Sequence, residues 1–261
     1  NVSTAIAVSQ ESGIGTVNTI RRTKFETTFA GGVGLRGDYS AIFDYAMKVS
    51  SVDESNLNQS LIIVTPNTID YGGITEMWED GSAIAFCPLS EDTYPYDARG
   101  IIQHEAGGHG FGKLGDEYIY HNGFIEFCCP LDFATLNYGK SLGWYENLSL
   151  TGKMHEVPWS HLIFDDRYSD VVDIYEGGFK HARGVFRSEQ NSCMNNNISY
   201  FSAISREAIV KRIMEYAGES YSFEKFVEND KRDAVNSLSR SAERLGVTVR
   251  GNQYAPRSEE R

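Results

Sequence analysis

The chain reads as an α/β protein with a mixed, partly parallel, twisted sheet and one helix that carries the chemistry. Three observations predict this. Residues 60–65 (SLIIVT) form a short continuous apolar run, the pattern of a buried central strand. Ala83–Phe86 (AIAF) is a further strand, ended by Cys87-Pro88. Residues 38–49 and 205–217 carry apolar side chains at helical spacing, so helices interleave with strands.

In chain order, residues 2–9 (VSTAIAVS) read as a strand and residues 11–15 as a loop. Residues 24–30 (KFETTFA) alternate well enough for a second strand. The helix over 38–49 takes Asp38 or Ser40 as its N-cap. Tyr71-Gly72-Gly73 is a turn, and Asp97 caps a helix running from Ala98 onward. Residues 119–170 are aromatic and loop-rich, with Trp144 and Trp159, and are expected to hold the rim of a cleft. Asp165-Asp166 reads as a solvated turn in preference to a calcium corner, and His121, His155 and His161 as surface histidines. Ser205 is the expected cap of the helix over 205–217, and Gly218 its stop. A more charged helix over 223–245 follows. The expected organisation is one domain over residues 1–217 and a helical extension over 218–261 packed on it.

Composition narrows the partners. The 261 residues are 41% hydrophobic, enough for one sizeable core. A net charge of −12 argues against nucleic acid and anionic membrane surfaces. No run of 18 apolar residues exists, so no transmembrane helix is expected. The chain starts at Asn1 with neither an initiator Met nor a signal-peptide pattern and reads as a processed fragment. Of the four cysteines, Cys193 could bridge to Cys128 or Cys129, or all four could stay reduced. Cysteine as a metal ligand stays open, although no CxxC occurs.

The chemistry concentrates in residues 101–118, IIQHEAGGHGFGKLGDEY. His104 and His109 supply two imidazoles, Glu105 an acid beside the first, and Asp116-Glu117 two more carboxylates. Two neutral imidazoles, a third oxygen ligand and an open fourth position for water describe a catalytic zinc site. Glu105 is then the general base. The histidines stand at i and i+5, however. On an α-helix that separates them by about 140°, too far for one ion. A single-residue π-bulge would restore a common face. Gly107, Gly108, Gly110 and Gly112 make such distortion easy, at roughly 1 kcal/mol of helix propensity each. Asp116 is the expected third ligand, because the chain must bend after Gly112 to bring an acid back; Glu117 is the fallback.

His109-Gly110-Phe111-Gly112-Lys113-Leu114-Gly115-Asp116-Glu117-Tyr118 resembles the active-site segment of the IgA-peptidase family of zinc endopeptidases, distant relatives of the metzincins. The stretch from Ser9 to Gly15, Tyr71-Gly72-Gly73 and residues 175–194 fit in order, so the resemblance covers about residues 1–215. HEAGGH departs from the family's usual HExxH by one glycine; a similar HExxxH zinc motif is known in the dipeptidyl peptidase III family. The resemblance implies a metzincin-like zincin architecture, one Zn2+ per chain, a protein or peptide substrate, and a secreted or cell-envelope protein of a bacterium. By the same resemblance Ser82 to Phe86 would be the edge strand that pairs with substrate. Met194 would be the floor beneath the ligand histidines. Glu176 would orient a ligand or bind substrate, and His181, Arg187, Tyr118 and Tyr200 compete to stabilise the oxyanion. The expected function is zinc-dependent peptide hydrolysis. The alternative is a catalytically impaired peptidase fold that binds protein or glycan.

Overall fold

The computed structural model describes residues 25–29 and 34–230, and the chain divides into two units between Phe111 and Gly112. The strand expected over 2–9, the loop over 11–15 and the helix beyond residue 230 lie outside the described residues.

The first unit is built around a short apolar strand. Thr28–Phe29 (β1) and Leu35–Arg36 (β2) pair antiparallel, so the strand expected over 24–30 is only two residues long. Tyr39–Ala46 (α1) follows, and Asp38 caps it by accepting from Ala41 N–H at 3.0 Å. Leu61–Val64 (β3), Ile74–Met77 (β4) and Ala83–Phe86 (β5) form a sheet in the order β3-β5-β4. β5 runs parallel to β3 and antiparallel to β4.

Side-chain alternation along β5 divides the core between its two faces. Ile84 and Phe86 join Leu35, Ile42 and Val64 on the face covered by α1. Ala85 and Cys87 join Ile101 and Ala106 on the other. Small Ala85 leaves room there for a helix backbone.

Residues 60–65 do not make the central strand: among the described residues β3 is an outer strand, and Ile63 is 45% exposed. A short apolar run reports burial of side chains, and it does not say how many neighbours the backbone has. Nor is Ala83–Phe86 an edge. Both its sides carry ladder bonds, so no substrate backbone can add to it. Among the described residues the outer antiparallel strand is β4.

Ala98–Ile102 (α2) starts as expected, with Asp97 accepting from Gly100 N–H at 3.2 Å. It runs directly into a π-helix over Gln103–Phe111.

The second unit is centred on Lys180–Arg187 (β9), which pairs parallel with Ile119–Phe124 (β6) and antiparallel with Leu148–Ser149 (β7) and Tyr175–Gly178 (β8). The β8–β9 turn puts both Phe179 and Lys180 at positive φ. Their N–H groups donate to the carbonyls of Asp116 and Tyr118, which holds this costly turn in place. Ile125–Cys128 (α3) and Pro130–Ser141 (α4) occupy a region expected to be loop. Ser160–Ile163 (α5), Cys193–Asn196 (α6), Ala203–Ala217 (α7) and Phe223–Asn229 (α8) complete the unit. Trp159 is not a rim residue: it is fully buried with Leu162, Tyr168, Ile204 and Phe226, and its Nε1–H donates to Asp173 O at 2.9 Å. Residues 164–171 form the expected turn, and Arg167 donates to both oxygens of Asp165.

Ser202, not Ser205, precedes α7, and its hydroxyl makes no cap bond to the helix backbone. The carboxylate of Glu189 does that work from another segment, accepting from Ala203 N–H at 2.7 Å and from the Tyr200 hydroxyl. Burial pushes Glu189 up to about 7, against those hydrogen bonds and the nearby Arg206. The unfolded carboxyl titrates near 4.5. Between the two values only the folded state holds the proton, so this group's stabilising contribution is lost as pH rises through that window. Glu189→Gln is expected to flatten this dependence and to raise Tm at pH 8 by about 2–4 °C. Thermal melts at pH 5 and pH 8 check it; the same pH dependence in both proteins would contradict it.

Candidate metal centre

Asp97 starts the α2 backbone on an α-helical path, but the two glycines after Ala106 let it widen. The structure extends the expected single-residue bulge to a π-helix nine residues long. A π-helix closes its hydrogen bonds at i+5, so residues five apart lie nearly over one another. His104 and His109 are such a pair. Their Nε2 atoms are 3.1 Å apart and their rings meet edge to face. Two nitrogens bound to one tetrahedral zinc at its usual bond length stand about 3.3 Å apart. The imidazoles therefore fit a shared zinc ion with almost no movement. His104 is buried and His109 half-buried, which leaves the pair approachable from one side.

The glycines also bring the helix onto the sheet. A Cβ on Gly110 would stand 2.5 Å from Leu61 Cδ1. Gly110→Ala is expected to overpack this contact and cost about 1–3 kcal/mol, read as a lower midpoint in urea. An unchanged midpoint would mean that Leu61 moves aside freely.

Glu105 is held from β4. Thr75 Oγ1 lies 2.9 Å from Glu105 Oε2 and 2.9 Å from the Glu105 carbonyl. Gly73 lies against the same side chain, since a Cβ there would stand 2.8 Å from Glu105 Oε1. The Tyr71-Gly72-Gly73 turn and β4 thus fix the acid beside the first histidine. Sequence reasoning found the turn but not Thr75, because nothing local marks a threonine thirty residues from its partner. Below the π-helix, burial and then the charge of Glu105 hold the Cys87 thiol well above its ordinary value, so Cys87 stays an inert thiol.

Asp116 and Glu117 belong to the second unit, where they have different surroundings. Glu117 is fully buried and uses both oxygens, accepting from Asn147 Nδ2 at 2.9 Å and from Ser192 Oγ at 2.5 Å. Its backbone N–H donates to the carbonyl of Met194, which is itself buried against Leu114 and Ala208. Glu117 is a structural acid that ties residues 115–117 to residues 192–194. Asp116 is partly exposed, and with burial its charge helps push Tyr145 up to about 12.

All four oxyanion candidates have partners within the second unit. His181 is fully buried with Nε2 at 2.8 Å from Asp132. Arg187 Nη1 donates to the carbonyls of Glu176 and Gly177 at 3.2 and 2.6 Å. The Tyr200 hydroxyl donates to Glu189. Tyr118 packs its ring on Tyr120, with centroids 5.0 Å apart. The Glu176 carboxylate accepts from Gly184 N–H at 3.1 Å inside the hairpin. All four cysteines are free, so the bridge from Cys193 does not form. No helix among the described residues is long and apolar enough to cross a membrane.

No protein-family model matches the chain, and no curated protein matches it in sequence.

Proposed function

We propose that the chain is a zinc-dependent peptidase of the IgA-peptidase type, and an endopeptidase, acting on a protein or peptide substrate outside the cytoplasm of a bacterium. The observation that carries this reading is the π-helical placement of the His104 and His109 Nε2 atoms at zinc-ligand separation, with a positioned acid next to the first. His104, His109 and Asp116 hold one Zn2+. Asp116 is chosen over Glu117 because both Glu117 oxygens are engaged elsewhere. Zinc in such a site acts as a Lewis acid toward the scissile carbonyl and a water molecule.

Glu105 supplies the proton chemistry. Its carboxylate takes a proton from the attacking water and delivers it to the leaving amine. The Thr75 hydroxyl fixes one carboxylate oxygen, which limits the conformations from which Glu105 can act. β4 takes over the substrate-pairing role first expected of β5, because its outer side is the antiparallel edge of the described sheet.

The test is hydrolysis of a mixed peptide library by the zinc-loaded protein, with Glu105→Ala as the control. Cleavage within peptides by the wild type alone supports the reading. Zinc binding without cleavage of any peptide or protein favours the binding-module alternative.

A further inference from the structure

A second cluster of metal-ligating side chains lies in the second unit and shares no residue with the peptidase site. Cys128 and Cys129 follow one another at the end of α3, and His181 lies in β9; their ligand atoms fall within 4.8 Å of one another. Cys128 Sγ is 3.1 Å from Cys129 Sγ and 3.5 Å from His181 Nδ1. Both cysteines are free thiols. Gly123 makes the space for Cys128, since a Cβ on it would stand 2.8 Å from the Cys128 sulfur.

His181 is set up as a ligand. It is fully buried, and its Nε2–H donates to the Asp132 carboxylate at 2.8 Å. That bond selects the tautomer whose Nδ1 lone pair faces Cys128. A carboxylate behind a histidine in this way is the usual support for a metal-bound imidazole. Sulfur and nitrogen on one tetrahedral zinc stand about 3.6 Å apart, which matches the Cys128–His181 separation. Two sulfurs stand about 3.8 Å apart, so the thiols must part by roughly 0.7 Å, a small side-chain rotation. A Cys-His-Asp hydrolytic triad would use the same His181 and Asp132, but it has no role for the second thiol.

We propose that Cys128, Cys129 and His181 form a second, thiolate-rich metal site for a soft cation, Zn2+ foremost, with Asp132 orienting the histidine. Two thiolates and an imidazole select zinc over magnesium or calcium. The partly exposed cysteines leave the fourth position to solvent or to a group from outside.

Cobalt tests this without reliance on enzymatic activity, because only sulfur ligands give a thiolate-to-cobalt charge-transfer band. The reduced, metal-free full chain is titrated with Co2+ alone. A band that saturates at one equivalent of thiolate-bound cobalt is expected in the wild type and equally in His109→Ala. It weakens in Cys128→Ser and in Cys129→Ser, each of which keeps one thiolate, and is lost in the double variant. In Asp132→Ala the affinity falls by about 10–100-fold, with the fold checked by circular dichroism. Absence of the band in the wild type, or its persistence in the Cys128→Ser/Cys129→Ser double variant, overturns the proposal. Failure here leaves the His104–His109 reading untouched, since its residues give no such band.

Discussion

Alanine at His109 is expected to remove one zinc per chain and to abolish peptide hydrolysis. The His104 and His109 nitrogens stand 3.1 Å apart because the π-helix stacks them, and either alone cannot hold the ion in that arrangement. His109 is the better position to change because it is half-buried, whereas His104 is buried and its loss would also leave a cavity. Elemental analysis of wild type and variant, with circular dichroism to show that the fold survives, decides the matter. Equal zinc content in the two proteins would mean that these histidines do not bind it.

Glu105→Ala separates the base from the ligands. Zinc content should stay at the wild-type level while kcat falls by about 10²–10⁴-fold, the range for a positioned general base. The side chain sits between Thr75 and Gly73 and is only partly buried, so its removal opens a small space without loosening the core. Cleavage at wild-type rate would take the proton chemistry away from Glu105. Loss of zinc together with activity would make Glu105 a ligand and would call for a different base.

The sequence and the structure agree where an element is set by its own residues. Asp97 caps the helix it was expected to cap, and Asp38, one of the two candidates offered, caps α1, since an N-cap needs only a short polar side chain and the N–H groups two or three residues on. Gly218 ends α7 in the left-handed conformation that glycine adopts without strain. On an ordinary helix the spacing of His104 and His109 keeps the two from sharing an ion, and the glycines between them mark where the backbone can widen.

Disagreement arises where a partner from elsewhere in the chain decides. β5 was expected at an edge, but ladder bonds from both β3 and β4 make it central. α4 was missed because its one reliable signal, Pro130 at the first turn, sits in an aromatic stretch with little helical periodicity. The cap of α7 is a carboxylate fourteen residues away, invisible to any local rule.

The sequence by itself determined the reactive groups of the candidate zinc site and the need for a distorted helix to bring the imidazoles together. Both follow from residue type and from the fixed angular step of a helix. Tertiary structure alone decided that Thr75 and Gly73 hold Glu105, that Glu117 is consumed by Asn147 and Ser192, and that Cys128, Cys129 and His181 converge. Each of these depends on side chains distant in sequence meeting across a sheet or a loop. Such meetings are set by how whole elements pack, and no local pattern of residues encodes them.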